Sequence, residues 1–266
     1  MTAARRRRVR PGVERRLRRG AYLLPSLFTT GNLLLGFYSV VTGLRGGFQR
    51  AALLVFVAAF LDGLDGRIAR LMRTESDFGR EYDSLADLFT FGATPALLCY
   101  VWGLSEFGRA GWLIPLFYMV CAASRLARFN VQTRVVDSRY FVGLPSPAAA
   151  GAVCSVLFFA DPSDGLVWPL VVVGVLIGTG ALMVSTFRYM SLKRIDLRER
   201  RSYRALLPLA GGILVVAFHP PAFFFAVGVL YSLSGPVSWL VGRLRSREPE
   251  PESSAPVVPP EPSERA

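Results

Sequence analysis

The apolar residues of this chain fall in long runs separated by short polar stretches, a pattern that two-layer soluble domains do not show. About 20 consecutive apolar residues in a helix cross the hydrocarbon core of a bilayer. On that ruler the pattern predicts eight helices, at 22–43, 48–72, 84–104, 110–128, 144–161, 166–187, 204–218 and 221–243. The seventh is the shortest and is interrupted by Gly211 and Gly212; if it does not span, the C-terminus changes sides. The expected fold is an all-α polytopic membrane protein, with a transmembrane domain over 21–243 between a basic arm at 1–20 and a disordered tail at 244–266. The tail is Pro- and Glu-rich and has little to bury.

Composition agrees with the pattern. Of 266 residues, 52% are hydrophobic, and the mean hydropathy is +0.38. A net charge of +12 in a soluble domain suggests nucleic acid, but here the basic residues cluster between apolar spans. Orientation and anionic lipid account for them there. The first 20 residues hold nine arginines with no aromatic interleaving to stack on bases, so the arm reads as a membrane-surface segment and no nucleic-acid partner is expected. The apolar stretch after the arm is long and lacks a small-residue cleavage pattern, which argues against a removable signal peptide. With the N-terminus inside, the connections at 73–83, 129–143 and 188–203 carry Arg73, Arg80, Arg134, Arg139, Lys193, Arg194, Arg198, Arg200 and Arg201. The opposite connections are short and poorer in basic residues, as the positive-inside bias requires. Cys99, Cys121 and Cys154 lie within apolar runs at no ligand spacing, and the single histidine, His219, sits in a Pro-flanked turn. Neither a zinc site nor a His-dependent triad is credible.

The chemistry concentrates in D-G-L-D-G-R-I-A-R followed by eight residues and G-R-E-Y-D-S-L-A-D. Asp62 and Asp65 are three apart and Asp83 and Asp87 four apart, so on helices each pair projects from one face. Two such faces meeting make a four-carboxylate pocket at the cytoplasmic end of the second and third spans. Ionised carboxylates at membrane depth cost roughly 2.5 kcal/mol or more each, which predicts a divalent cation as neutraliser. All-oxygen ligands favour Mg²⁺ or Mn²⁺, with Ca²⁺ accommodated by the same donors. Gly66, Ala69 and Gly79 leave room for close approach of a ligand, and Arg67 and Arg70 add positive charge suited to phosphate.

The order D-x2-D-G-x2-A-R-x8-G-x3-D-x3-D, read from Asp62 through Asp65, Gly66, Ala69, Arg70, Gly79 and Asp83 to Asp87, resembles without a gap the signature of the CDP-alcohol phosphatidyltransferase family. The resemblance implies an integral membrane enzyme that moves a phosphatidyl or related group from a CDP-linked donor to an alcohol with divalent metal. It implies Asp62, Asp65 and Asp83 as metal ligands, and Asp87 as general base while also touching metal. P-S-L-F-T-T-G-N resembles the family's opening segment, making Thr30 and Asn32 candidates beside the nucleotide with Gly66, Ala69, Arg70 and Gly79. Hydrogen bonding to neighbouring helices is the plainer reading of those polar residues. S-R-L-A-R-F-N, F-V-G-L-P-S-P and M-V-S-T-F-R-Y-M-S-L-K resemble segments of a bacterial branch that uses L-serine as acceptor. That resemblance implies CDP-diacylglycerol and L-serine as substrates and a homodimer in the cytoplasmic membrane, its active site facing the cytoplasm. Arg128, Asn130, Gly143, Pro145 and Ser146 are its serine-site candidates. Snorkelling of Arg125 and Arg128 to the headgroups is the competing reading. Glycerol 3-phosphate or an inositol phosphate remains an alternative acceptor, and a cation transporter a remote alternative class.

Overall fold

A computed structural model describes residues 11–72, 76–132, 141–159, 165–189 and 220–245. Eight α-helices are described: α1 Pro11–Leu44, α2 Phe48–Met72, α3 Asp77–Asp87, α4 Thr94–Trp102, α5 Gly108–Gln132, α6 Ser146–Phe159, α7 Val167–Val184 and α8 Pro220–Arg245. A π-helical turn, Leu88–Ala93, joins α3 to α4 without a break, so the two form one rod, and a 3-10 turn at Leu104–Phe107 reverses the chain into α5. Two-residue strands β1, Phe141–Val142, and β2, Arg188–Tyr189, pair antiparallel.

Every predicted span except 204–218, which lies outside the described residues, coincides with a helix or rod. So do the first ten residues of the arm and most of the tail lie outside. Among the described residues, four segments are long and apolar enough to cross a membrane: Leu27–Leu44, Asp77–Trp102, Leu104–Val131 and Val167–Val184. Two boundaries differ from expectation. α1 begins at Pro11 and not near 22, because arginine and leucine are good helix formers and a hydropathy ruler marks only the apolar part. The third rod begins at Asp77 and not near 84: Ser76 accepts the Gly79 N–H at 3.0 Å as an N-cap and starts a polar first turn. Asp83 and Asp87 therefore share one helix.

Burial along the spans is inverted relative to a soluble helix. On α1 the buried positions are Thr29, Asn32, Gly36, Ser39 and Gly43, at alternating steps of three and four, while Leu27, Leu34, Phe37 and Leu44 are exposed. Without a hydrophobic drive between helices in lipid, small and hydrogen-bonding residues make the contact and large apolar ones face the acyl chains. Ser39 donates to the Ala51 carbonyl at 2.7 Å, tying α1 to α2. On α2, Ala51, Ala52, Val55 and Ala58 are buried in the same way. α6 is buried over Ala149, Ala150 and Ala152 through Leu157 and packs against α2, α7 and α8.

The π turn has a local cause. Pro95 has no N–H to give the Phe91 carbonyl, and the ladder slips by one residue at this point. The freed Phe91 carbonyl accepts from the Tyr118 hydroxyl at 2.9 Å, satisfying a phenol that is fully buried. Thr90 donates to the Asn32 carbonyl at 3.2 Å and Thr94 to the Gly36 carbonyl at 3.3 Å. The irregular turn that follows Asp87 is thus pinned to α1 on one side and α5 on the other.

Candidate active site

α2 brings Asp62 into the bundle, and the α3 rod brings Asp83 and Asp87 to meet it. One carboxylate oxygen from each of the three lies within 4.8 Å of the others. All three residues are partly buried. Asp65 follows Asp62 by a single helical turn on α2; the side chains of Asp65, Arg67, Ala69 and Arg70, and the surroundings of Gly66, lie outside the described set.

α1 closes the cluster. Asn32, almost fully buried, donates from Nδ2 to Asp87 Oδ1 at 3.2 Å, while its own Oδ1 is buried with no hydrogen-bond partner among the described residues. A buried oxygen without a partner calls for an explanation, and an ion or water bound beside it is one. Three carboxylates with an amide side chain bonded to one of them are a hard, oxygen-rich donor set of the kind that suits a divalent cation. The residues present therefore fit the expected metal. Thr30, more exposed, pairs its hydroxyl with that of Tyr82 at 3.1 Å, and Tyr82 stacks on the exposed Phe78 with ring centroids 6.0 Å apart. Gly79 lies in the first turn of α3, where its amide serves the Ser76 cap.

The predicted acceptor residues assemble at the same end of the bundle. Asn130, near the end of α5, donates to Ser84 at 3.0 Å, one residue beyond Asp83. Gly143 takes φ +82, and a Cβ there would strike the Met183 carbonyl, so only glycine holds this turn. Its amide bonds the Phe187 carbonyl at 2.9 Å, and the next amide, of Leu144, bonds Leu182 at 3.0 Å. These bonds dock the turn onto the end of α7 and set Pro145 and Ser146 at the start of α6. Arg128 donates from Nη1 to the Val184 carbonyl at 2.9 Å, capping α7. Arg125 does not reach outward to the headgroups: it is 9% exposed and donates to Ser146 at 2.8 Å.

The chain matches the CDP-alcohol phosphatidyltransferase family over residues 22–187, which takes in the whole carboxylate cluster and the turn from Gly143 to Ser146. The chain belongs to that family. It is 36% identical over 227 residues to a Helicobacter pylori protein named CDP-diacylglycerol--serine O-phosphatidyltransferase, covering 82% of this chain and 92% of that one. A Bacillus subtilis protein of the same name is 33% identical over 171 residues, 64% of this chain and 92% of that one. A Mycobacterium tuberculosis protein, again so named, is 41% identical over 147 residues, about half of each chain. As a member of this family, the chain is an all-α membrane enzyme.

Three features of the site escaped the sequence reading. Tyr82 as partner of Thr30 and Ser84 as partner of Asn130 are long-range pairs with no local signature. Arg125 carried one: it sits inside the apolar part of α5, seven residues before the helix ends, where an arginine needs a buried partner or a long reach to water.

Proposed function

We propose that this protein transfers the phosphatidyl group of CDP-diacylglycerol to L-serine, giving phosphatidylserine and CMP. The observation that carries the reaction type is the meeting of Asp62, Asp83 and Asp87 with Asn32 at one end of the bundle. The names of the relatives carry the acceptor.

On this reading the serine hydroxyl attacks the phosphorus that bears diacylglycerol, the bond to the CMP oxygen breaks, and CMP leaves. Asp87 receives the hydroxyl proton, with Asn32 fixing one of its oxygens so that the other meets the acceptor. Asp62, Asp65 and Asp83, with Asp87 and the Asn32 oxygen, would hold divalent metal, Mg²⁺ or Mn²⁺ by donor type. When bound, the metal offsets charge on the diphosphate and on the leaving CMP. Thr30, Gly66, Ala69, Arg70 and Gly79 line the donor side. Asn130, Gly143, Pro145 and Ser146 shape the acceptor side, with Arg128 holding the α7 end against it. The site faces the cytoplasm of an inner membrane on the charge bias of the loops, and the working unit is a homodimer on family resemblance.

A second acceptor class has an observation in its favour. Arg125 and Arg128 both stand at the acceptor end, and several cations suit a phosphate dianion such as glycerol 3-phosphate. Purified protein given CDP-diacylglycerol and a panel of alcohols separates the readings by the mass of the lipid formed. Phosphatidylserine with stoichiometric CMP is the expected result. Product from glycerol 3-phosphate and none from serine would overturn the acceptor, and no CMP with any alcohol would overturn the reaction.

A further inference from the structure

Arg125 is a cation where a membrane protein can least tolerate one without a purpose. It lies on the apolar stretch of α5, is about nine-tenths buried, and donates from Nη1 to Ser146 Oγ at 2.8 Å. Its Nε–H is buried with no hydrogen-bond partner among the described residues. A guanidinium presents five donors in a planar fork that matches a carboxylate. Here much of the fork is kept from water while one donor stays unused.

The surroundings point to the ligand. Asp87 and Asp62 are within electrostatic reach of the guanidinium. The π turn after Asp87 packs against α1 on one side and against α5 and α6 on another. Asn32 approaches Asp87 from α1, which also carries the donor-side candidate Thr30; Arg125 belongs to α5 and its partner Ser146 to α6. Ser146 accepts from Arg125 and so has its own hydroxyl proton to give to a third group. The pair offers two kinds of donor, charged and neutral, to one oxyanion beside the group that takes the hydroxyl proton. Arg128, in contrast, spends its Nη1 on the Val184 carbonyl at the end of α7.

We propose that Arg125, with Ser146 beside it, binds the carboxylate of the amino-acid acceptor and is the specificity-determining residue for an alcohol that carries one. This rests on the acceptor reading above. The ammonium and hydroxyl of serine are shared by ethanolamine, so the carboxylate is the only group on which Arg125 can discriminate between them.

The test compares L-serine with ethanolamine as acceptors for wild type, Arg125→Ala, Arg125→Lys and Ser146→Ala, following CMP release and lipid mass. Loss of a charge-assisted hydrogen-bonding partner predicts a serine-to-ethanolamine preference reduced by about 10- to 10²-fold in Arg125→Ala. A smaller reduction is expected in Arg125→Lys and Ser146→Ala, and the CDP-diacylglycerol KM should stay near wild type in all three. Equal loss with both acceptors would make Arg125 structural and overturn the proposal. A raised CDP-diacylglycerol KM with an unchanged preference would move Arg125 to the donor phosphates and also overturn it. If Arg125→Ala does not fold, an unchanged preference in both Arg125→Lys and Ser146→Ala has the same force. Wild type that makes no phosphatidylserine is a different failure, which removes the acceptor reading before any variant is compared.

Discussion

Replacing Gly36 by alanine tests whether the contact of α1 with the π turn sets the active-site geometry. A Cβ on Gly36 would lie 2.6 Å from Thr90 Oγ1 and 3.1 Å from both Cα and Cβ of Thr90. The hydroxyl can rotate away, but the Cα is backbone. Relaxed carbon–carbon contact is about 3.5–4.0 Å, so from 3.1 Å α1 and the turn must part by roughly 0.4–0.9 Å. Asn32 is one helical turn from Gly36, and its bond to Asp87 already stands at 3.2 Å, so the same separation breaks it. A hydrogen bond to a charged group contributes about 1.5–3 kcal/mol, and a 1 Å misplacement costs up to about 10²-fold in rate. The expected result is a fall in kcat of roughly 10- to 10²-fold with overpacking strain of about 1–3 kcal/mol. The matched control is Gly31→Ala on the same helix, where nothing lies within 4 Å of the added carbon. CMP release, measured on protein that is monodisperse in detergent, reads the difference. Wild-type turnover in Gly36→Ala, or the same loss in Gly31→Ala, would refute the coupling of this contact to catalysis.

Three further outcomes follow from the site. Chelation should abolish turnover and added Mg²⁺ or Mn²⁺ restore it, while Asp62→Asn and Asp83→Asn weaken metal and donor binding together; full activity in chelator would end the metal assignment. Asp87→Asn should lower the rate by about 10²- to 10⁴-fold, the usual worth of a general base, and leave CDP-diacylglycerol binding largely intact in a direct binding assay. Gly143→Ala, forced toward φ +82 with its Cβ against the Met183 carbonyl, should destabilise the acceptor turn by about 1–3 kcal/mol. It should raise the serine KM more than the donor KM, and an unchanged serine KM would detach that turn from the acceptor.

What the amino-acid order determined by itself was whatever depends on short-range spacing. The helical spans are legible because the bilayer demands long apolar runs and internally satisfied backbone, and a run is a local property. The carboxylates are legible because acids within such a run are costly, and because three- and four-residue spacing sets them on one helical face. Where the first turns of a helix are polar or charged, as after Ser76 and Pro11, hydropathy carries no mark, and the boundaries moved. Only tertiary structure decided which neighbours those faces meet. That Asn32 leans on Asp87, that the carbonyl freed by Pro95 is taken by Tyr118, and that Arg125 turns inward to Ser146 while Arg128 caps α7 are all contacts between helices. Two arginines three residues apart on one helix look alike in sequence. They differ because one lies deep enough that its guanidinium meets α6 inside the bundle, and the other lies one turn nearer the end, where the carbonyls of α7 are open to it.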